Sequence, residues 1–189
     1  DMYYKRMNEK VKIVMMECTT GWDTCFCVSM GTNKSEDYSM AVRFGEGELS
    51  LDVKDDAFAP YFEGKNETGF KPEYVEKNQL TVDVPEIPNK EVLTKLKNHP
   101  MWNEYNKRCI SCGACTVACS TCTCFTTEEE RDTPHSGTRV RVWDSCQSVS
   151  FTRNAEFHNP RSKTSAVRYR IYDKLQYIEE RFGMKGCTG

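Results

Sequence analysis

Four cysteines lie close together in the second half of the chain, and their thiols are the first candidates for chemistry. Their spacing is C-x2-C-x2-C-x3-C, formed by Cys109, Cys112, Cys115 and Cys119. This spacing is typical of [4Fe–4S] ligand runs, in which the first three thiolates hold one cube and the fourth reaches the other cube in two-cluster proteins. Two-residue gaps allow a tight loop to direct successive sulfurs at one cube, and Gly113 permits a close backbone approach. We predict that Cys109, Cys112 and Cys115 bind a first cluster.

Zinc is the competing interpretation, because C-x2-C pairs also build tetrahedral zinc sites. Such sites usually place two pairs a dozen or more residues apart. Four cysteines within the stretch 109–119 match that arrangement poorly. The spacing therefore favours iron–sulfur chemistry. A zinc-binding structural or interaction module stays open as an alternative of a different class.

The last residues of the sequence, Gly186-Cys187-Thr188-Gly189, are typical of the beginning of a second cysteine run. If Cys119 is a ligand of a second cube, Cys187 is the candidate for another ligand of that cube. We predict that Cys119 and Cys187 belong to a second cluster. We also expect that the sequence is a piece of a longer protein, truncated before residue 1 and within this second run.

Six further cysteines lie outside these two motifs. Cys18, Cys25 and Cys27 fall in one loop after a predicted strand, where they could bind a further metal cluster or simply pack as small apolar side chains. Cys122 and Cys124 could contact a cluster from outside its ligand set, or could complete a cluster in a truncated chain, although packing is the favoured role. Packing is also the expected role of Cys146.

The composition excludes several classes of function. The 189 residues carry a formal charge of −2, which gives no reason to expect nucleic acid or anionic lipid as a partner. No apolar run reaches the roughly 18 residues that a membrane span needs. The odd count of eleven cysteines and their clustering argue against disulfides and favour a reducing cytoplasm. Because no catalytic constellation is evident, we expect a non-catalytic subunit.

The first part of the chain is predicted to be mixed in secondary structure. The apolar run 11–16 predicts a buried strand, and the segments 38–44 and 48–54 predict a hairpin around Gly45-Glu46-Gly47. Residues 60–72 predict a loop because of their glycines and prolines. A short possible strand follows at 80–84.

The second part is predicted to be helical and rich in loops. Asn89 predicts the start of a helix that runs to about His99, and a second helix spans 101–107. After the cysteine run, the acidic residues 128–130 predict a solvated turn, and 139–143 predicts a strand. Ser162 then begins a long helix that Gly183 ends. This helix is predicted to bury the apolar residues Val167, Ile171, Leu175, Ile178 and Phe182 and to expose the basic residues Arg168, Arg170, Lys174 and Arg181.

These elements predict an α+β fold, with a mixed sheet part followed by a ferredoxin-type iron–sulfur domain. We place the boundary near residue 100. Residues 1–100 would form the α/β part with its cysteine-rich loop. Residues 101–189 would form the [4Fe–4S] domain, with two or more clusters in the intact protein.

Several motifs spread over nearly the whole chain resemble the iron–sulfur subunit of anaerobic sulfite reductase. The chain is also similar to the iron–sulfur beta subunits of cytoplasmic sulfhydrogenase-type hydrogenases. The most specific pieces are Thr24-Cys25-Phe26-Cys27 and residues 120–125, which read Ser-Thr-Cys-Thr-Cys-Phe. The remaining matching pieces are residues 18–31, 109–119, 142–146, His158-Asn159-Pro160-Arg161 and the closing helix with Gly186-Cys187.

The resemblance implies an electron-transfer subunit of a dissimilatory-type anaerobic sulfite reductase. Such a subunit relays electrons from a flavin subunit, which oxidises NAD(P)H, to a sirohaem subunit that reduces sulfite. A beta subunit of a nickel–iron hydrogenase is the alternative with the same chemistry. One departure is Ser120, because most relatives carry proline after the fourth cysteine. This change puts the rigidity of the loop in doubt more than cluster binding.

Overall fold

The computed structural model describes residues 2–65, 69–84, 86, 89–155 and 163–189. The predictions for His158, for Asn159-Pro160-Arg161 and for the helix start at Ser162 lie outside these residues. The chain divides into two compact units. The first comprises the residues up to Val82 together with Gly189, and the second runs from Asp83 to Thr188. This division falls earlier than the boundary near residue 100 that the sequence suggested. The assignment of domains itself remains a prediction.

The first unit contains a three-stranded sheet with two short helices. Its elements are α1 (Met2–Asn8), β1 (Val14–Met16), α2 (Cys27–Met30), β2 (Met40–Phe44) and β3 (Leu49–Val53). The sheet order is β1-β2-β3, in which β1 runs parallel to β2 and β3 antiparallel to it. The predicted hairpin is therefore confirmed. Its turn closes with a bond from the Gly45 N–H to the Glu48 carbonyl at 2.9 Å.

Two sequence predictions for this unit are wrong. The strand β1 is not buried, because it is a three-residue edge strand and the side chains of Val14 and Met16 are exposed. Residues 80–84 form no strand; instead the Val82 N–H donates to the Ser29 hydroxyl at 3.0 Å. The buried apolar residues of this unit are Met30, Tyr38, Ala41, Val42 and Val75.

A charged network joins the sheet to the segment around residue 74. Arg43 donates to both carboxylate oxygens of Glu17, at 2.5 and 2.7 Å, and to Glu73 at 3.0 Å. The Glu17 side chain is only 7% exposed. The hydrogen bonds from Arg43 hold the pKa of Glu17 below its ordinary value, although burial opposes this shift. Next to it, the Val75 N–H donates to the Cys18 carbonyl at 2.8 Å, which fixes the start of the cysteine-rich loop.

The second unit begins with two helices, α3 (Lys90–Lys97) and α4 (Met101–Arg108). The predicted cap is confirmed, since the Asn89 side chain accepts a hydrogen bond from the Val92 N–H at 3.0 Å. Trp102 anchors α4 in the core. Its indole N–H donates to the Leu96 carbonyl at 2.8 Å, and its ring lies 6.0 Å from the ring of Tyr172.

A short helix α5 (Ala114–Val117) follows, and then an exposed hairpin of β4 (Phe125–Thr133) and β5 (Ser136–Trp143). The acidic residues 128–130 lie inside β4, so the prediction of a turn there is wrong. Glu129 faces Arg139 across the ladder at 2.6 Å. Sequence patterning missed β4 because a strand exposed on both faces has no apolar alternation.

The closing helix consists of α6 (Lys163–Tyr172), a π turn (Asp173–Tyr177) and α7 (Ile178–Phe182). Gly183 ends it with φ 69°, as predicted. The predicted apolar face is wrong in part, because Ile171 and Phe182 are exposed whereas Ala166 and Tyr172 are buried. Ala166, Ile171 and Tyr172 precede the π turn, so α6 itself buries a different face from the predicted one. The wider π turn then changes the helical period before α7.

The small sheets and the helices together confirm the α+β fold class. Within the described parts of the chain, every helix is too short or too polar to cross a membrane.

Candidate metal centre

The loop that carries the first three cysteines turns sharply between α4 and α5. Cys109 is the first extended residue after α4, and its N–H still donates to the Tyr105 carbonyl at 2.9 Å. Ser111 and Gly113 follow with φ values of 58° and 74°, in the left-handed region. Two left-handed residues two positions apart coil the backbone tightly. Cys109 and Cys115 are thereby partly buried, and Cys112 is exposed.

The segment after β5 supports this loop from the side. The hydroxyls of Ser145 and Thr116 lie 2.7 Å apart, and Thr116 is only 3% exposed. A Cβ at Gly113 would lie 3.6 Å from the Ser145 hydroxyl. The neighbouring Cys146 is buried, as expected for a packing role, and the Gln147 amide donates to its sulfur at 3.3 Å.

Burial raises the pKa of two thiols beside this segment. For Cys115, the nearby thiols of Cys146 and Cys109 add to the effect of burial, although Arg170 opposes it. For Cys124, burial raises the pKa to about 12, even though the Cys146 N–H donates to its sulfur. Metal binding to Cys115 requires the loss of its thiol proton, which this buried environment disfavours.

The residues after the fourth cysteine are hydrogen-bonded to the residues around Cys187. The Thr121 hydroxyl donates to the Gly186 carbonyl at 2.5 Å and lies 3.3 Å from the Cys119 sulfur. The hydroxyls of Ser120 and Thr188 lie 3.0 Å apart. These bonds place the backbone segments of Cys119 and Cys187 side by side. The hydroxyl of Ser120 contributes to this pairing, which a proline side chain at this position could not do.

The π turn places the ammonium group of Lys174 beside the paired segments of Cys119 and Cys187. Lys174 was predicted on the solvated face of the helix, but its side chain is only 13% exposed. Its ammonium donates to the Thr121 carbonyl at 3.0 Å. Burial raises the pKa of the Cys119 thiol, yet hydrogen bonds with Thr121 and the charges of Lys174 and Arg170 outweigh burial. The pKa of this thiol therefore lies below its ordinary value. Sequence reasoning missed Thr121 and Lys174, because neither side chain type marks a metal site.

Of the first unit's cysteines, Cys27 is the one with a described contact to Asn78. The Trp22 N–H donates to the Cys25 sulfur at 3.3 Å, and the Cys27 thiol lies 3.6 Å from the Asn78 side-chain oxygen. The same oxygen accepts the Val28 N–H at 2.8 Å. Cys18 is exposed and faces the Thr20 carbonyl. No spacing in the sequence pointed to Asn78, which lies fifty residues from Val28.

All eleven cysteines lie in the described residues, where each is a free thiol. Across the same residues, no three cysteine, histidine or acidic side chains converge closely enough to hold a metal ion. The structure thus pairs the segments of Cys119 and Cys187 but does not gather the predicted ligands around one point. Their roles as ligands remain predictions, in the first run and in the Cys18, Cys25 and Cys27 loop alike. As a donor set, free cysteines on one coiled loop can supply the soft thiolate ligands that iron–sulfur clusters take.

A comparison of the sequence with known protein families indicates which cofactor the cysteines bind. Residues 108–189 match the family described as the 4Fe-4S dicluster domain. The protein carries [4Fe–4S] clusters. This match agrees with the cofactor predicted from the cysteine run, and it favours iron–sulfur chemistry over the zinc alternative.

The chain is also similar to the beta subunit of sulfhydrogenase 2 from Pyrococcus furiosus. The two are 28% identical over 205 aligned residues, which cover 99% of this chain and 60% of the relative. The chain therefore spans about three-fifths of the length of the relative that it matches. No solved structure matches the chain.

Proposed function

We propose that this protein is the iron–sulfur electron-transfer subunit of a multisubunit oxidoreductase. One observation carries the proposal: hydrogen bonds pair the segment of Cys119 with that of Cys187, inside a region that matches a dicluster domain. In two-cluster proteins the fourth cysteine of one run ligates the cube of the other run. This crossing requires those two segments to lie side by side.

In the proposed arrangement, Cys109, Cys112 and Cys115 hold a first cube, and Cys119 and Cys187 contribute to a second. Bound clusters supply one-electron transfer. The chain's own residues would set how readily each cluster accepts an electron, through burial, charge and hydrogen bonds to the sulfurs. Cys18, Cys25 and Cys27 are proposed as ligands of a further cluster.

The Pyrococcus relative favours a hydrogenase complex as the assembly in which this relay works, because the similarity extends over 99% of the chain. In that case the electrons pass between a flavin subunit that uses NAD(P)H and a nickel–iron partner. The second candidate is a sulfite reductase complex. It is favoured by the motifs 24–27 and 120–125, and its terminal partner would be a sirohaem subunit that reduces sulfite. Either complex would work in the cytoplasm.

Metal analysis of the chain, purified without oxygen, tests the relay itself. We expect about eight or more irons per chain with matching acid-labile sulfide, the content of at least two cubes, and a new spectrum after reduction with dithionite. Zinc without sulfide would contradict the proposal and leave a structural module.

Partners that co-purify with the chain decide between the two complexes. A nickel-containing partner identifies the hydrogenase, and a partner with sirohaem absorption identifies the sulfite reductase. A chain that retains its iron and purifies with neither partner would contradict both assignments but not the relay.

A further inference from the structure

Lys174 is a charged side chain in an enclosed position. It is 13% exposed, and charged side chains are rarely buried to this extent unless they are paired. Its ammonium bonds the Thr121 carbonyl at 3.0 Å and the Asp173 carboxylate at 3.2 Å. Asp173 is more exposed than Lys174 and so offsets only part of its charge within the fold.

The main chain of Lys174 is tied to the other cysteine segment. Its carbonyl accepts the Gly186 N–H at 2.6 Å, directly before Cys187. A Cβ on Gly186 would lie 3.1 Å from that carbonyl, which shows how closely the two backbones approach. Lys174 therefore bonds the turn after Cys119 with its side chain and the segment before Cys187 with its backbone. Within helices, π turns are frequent at functional sites.

We propose that Lys174 is a positioning residue that raises the reduction potential of the cluster held by Cys119 and Cys187. The proposal rests on the iron–sulfur relay described above. Reduction adds one negative charge to a cluster. A cation fixed beside it in a partly dehydrated site stabilises the reduced state more than the oxidised one. Thr121 transmits the position of this charge, because its carbonyl holds the ammonium and its hydroxyl lies 3.3 Å from the Cys119 sulfur.

Redox titration of the cluster-loaded full chain, followed by electron paramagnetic resonance, tests the role of Lys174. Lys174→Met keeps the length of the side chain and removes its charge. We expect the equilibrium of the second cluster to shift about tenfold toward the oxidised state, or about 59 mV for a one-electron couple. Lys174→Arg should restore most of the wild-type potential. The first cluster should change less than the second.

Lys95→Met is the matched control, since it removes the same charge from an exposed lysine that also pairs with an acid, Glu91, at 2.8 Å. Its potential should equal that of the wild type. Asp173→Asn should shift the equilibrium in the opposite direction, toward the reduced state, because it removes the offsetting charge.

Iron content is measured first in every variant. This measurement separates a failure of the proposed electron relay from a failure of the proposed role of Lys174. A wild-type chain without iron contradicts the relay itself. Full iron content with an unchanged potential in Lys174→Met overturns the role of Lys174 and leaves the relay intact. If Lys174→Met loses iron, Asp173→Asn decides: a higher potential supports the role, and an unchanged potential overturns it.

Discussion

At the scale of single residues, Cys112 is the thiol whose chemistry can be tested with least disturbance of the fold. Its side chain is exposed, so Cys112→Ser removes a soft ligand without opening a cavity. We expect the loss of the first cluster, which is about four irons per chain. Iron and sulfide analysis of the anaerobically purified variant measures this directly.

Ile110→Ser is the matched control for this prediction. It places the same new residue in the same loop at a side chain that is 81% exposed, and it removes no thiol. It should retain the full iron content. Equal iron in Cys112→Ser and in the wild type would refute the assignment of Cys112 as a ligand.

The stability of the first unit depends on pH through Glu17, and the direction of this dependence follows from the lowered pKa of Glu17. Because Arg43 holds its pKa below the unfolded value of about 4.3, the pair stabilises the fold above that pH. This stability is lost as the pH falls through the folded pKa. We expect Glu17→Gln to cost about 1–2 kcal/mol at pH 7, the lower part of the range for charged hydrogen bonds because Arg43 is a third exposed.

Urea unfolding at pH 7 and in steps below pH 5 measures this effect. The difference between the wild type and Glu17→Gln should shrink as the pH falls. Glu73→Gln is the control, because Glu73 contacts the same arginine but is 72% exposed. If the loss of unfolding free energy in Glu17→Gln does not vary with pH, the electrostatic explanation is wrong.

At the scale of elements, the junction between the π turn and the Cys187 segment depends on a glycine. A Cβ on Gly186 would meet the Ile178 side chain at 2.4 and 3.1 Å and the Lys174 carbonyl at 3.1 Å. The Ile178 tip can rotate away, but its Cβ and the backbone carbonyl cannot. Gly186→Ala should therefore cost about 1–3 kcal/mol, within the range for overpacking.

Denaturant unfolding of the second unit, together with iron analysis, measures the effect of Gly186→Ala. Gly45→Ala is a control, because its added Cβ makes an ordinary contact of 3.6 Å with the Glu48 carbonyl. We expect the Gly186 variant to lose stability and part of its iron, and the Gly45 variant to lose neither. An unchanged Gly186→Ala would show that the two backbones can separate freely.

The sequence predicts those elements whose signals are local. The hairpin at 40–53 has a glycine turn and period-two alternation, α3 has its asparagine cap, and the closing helix has Gly183 at its end. The strand β4 and the π turn could not be predicted in this way. The strand has no buried face to give a pattern, and the π turn has no residue pattern that distinguishes it from the α-helix on either side.

The candidate site was predictable to a similar degree. The spacing of Cys109, Cys112 and Cys115 identified the group that the chain holds. Thr121 and Asn78 could not be recognised, because their contacts join segments far apart in sequence and depend on folding.

At the scale of the whole molecule, the two units differ in what stabilises them. The first has a sheet with Ala41 and Val42 buried, whereas the second has a small apolar core centred on Trp102 and Tyr172. Bound metal contributes folding energy in small cores of this kind. Removal of the clusters should therefore loosen residues 83–188 more than the sheet of the first unit at 40–53.

Amide hydrogen exchange of the chain before and after removal of iron measures this difference. We expect faster exchange around α5 and the π turn, and unchanged exchange in the sheet at 40–53. Uniform acceleration in both units would show that the clusters stabilise the chain as a whole. No change in either unit would contradict a structural contribution of the clusters.

The hairpin of β4 and β5 consists of two strands, so each has one edge whose backbone donors and acceptors meet no third strand of the described chain. Open edges of this length are templates for the addition of a strand from another molecule. Along β4, three consecutive glutamates are followed by Arg131 and Asp132. Charged side chains on an edge strand oppose the pairing of two copies, so we expect the acidic stretch of β4 to disfavour assembly through this edge.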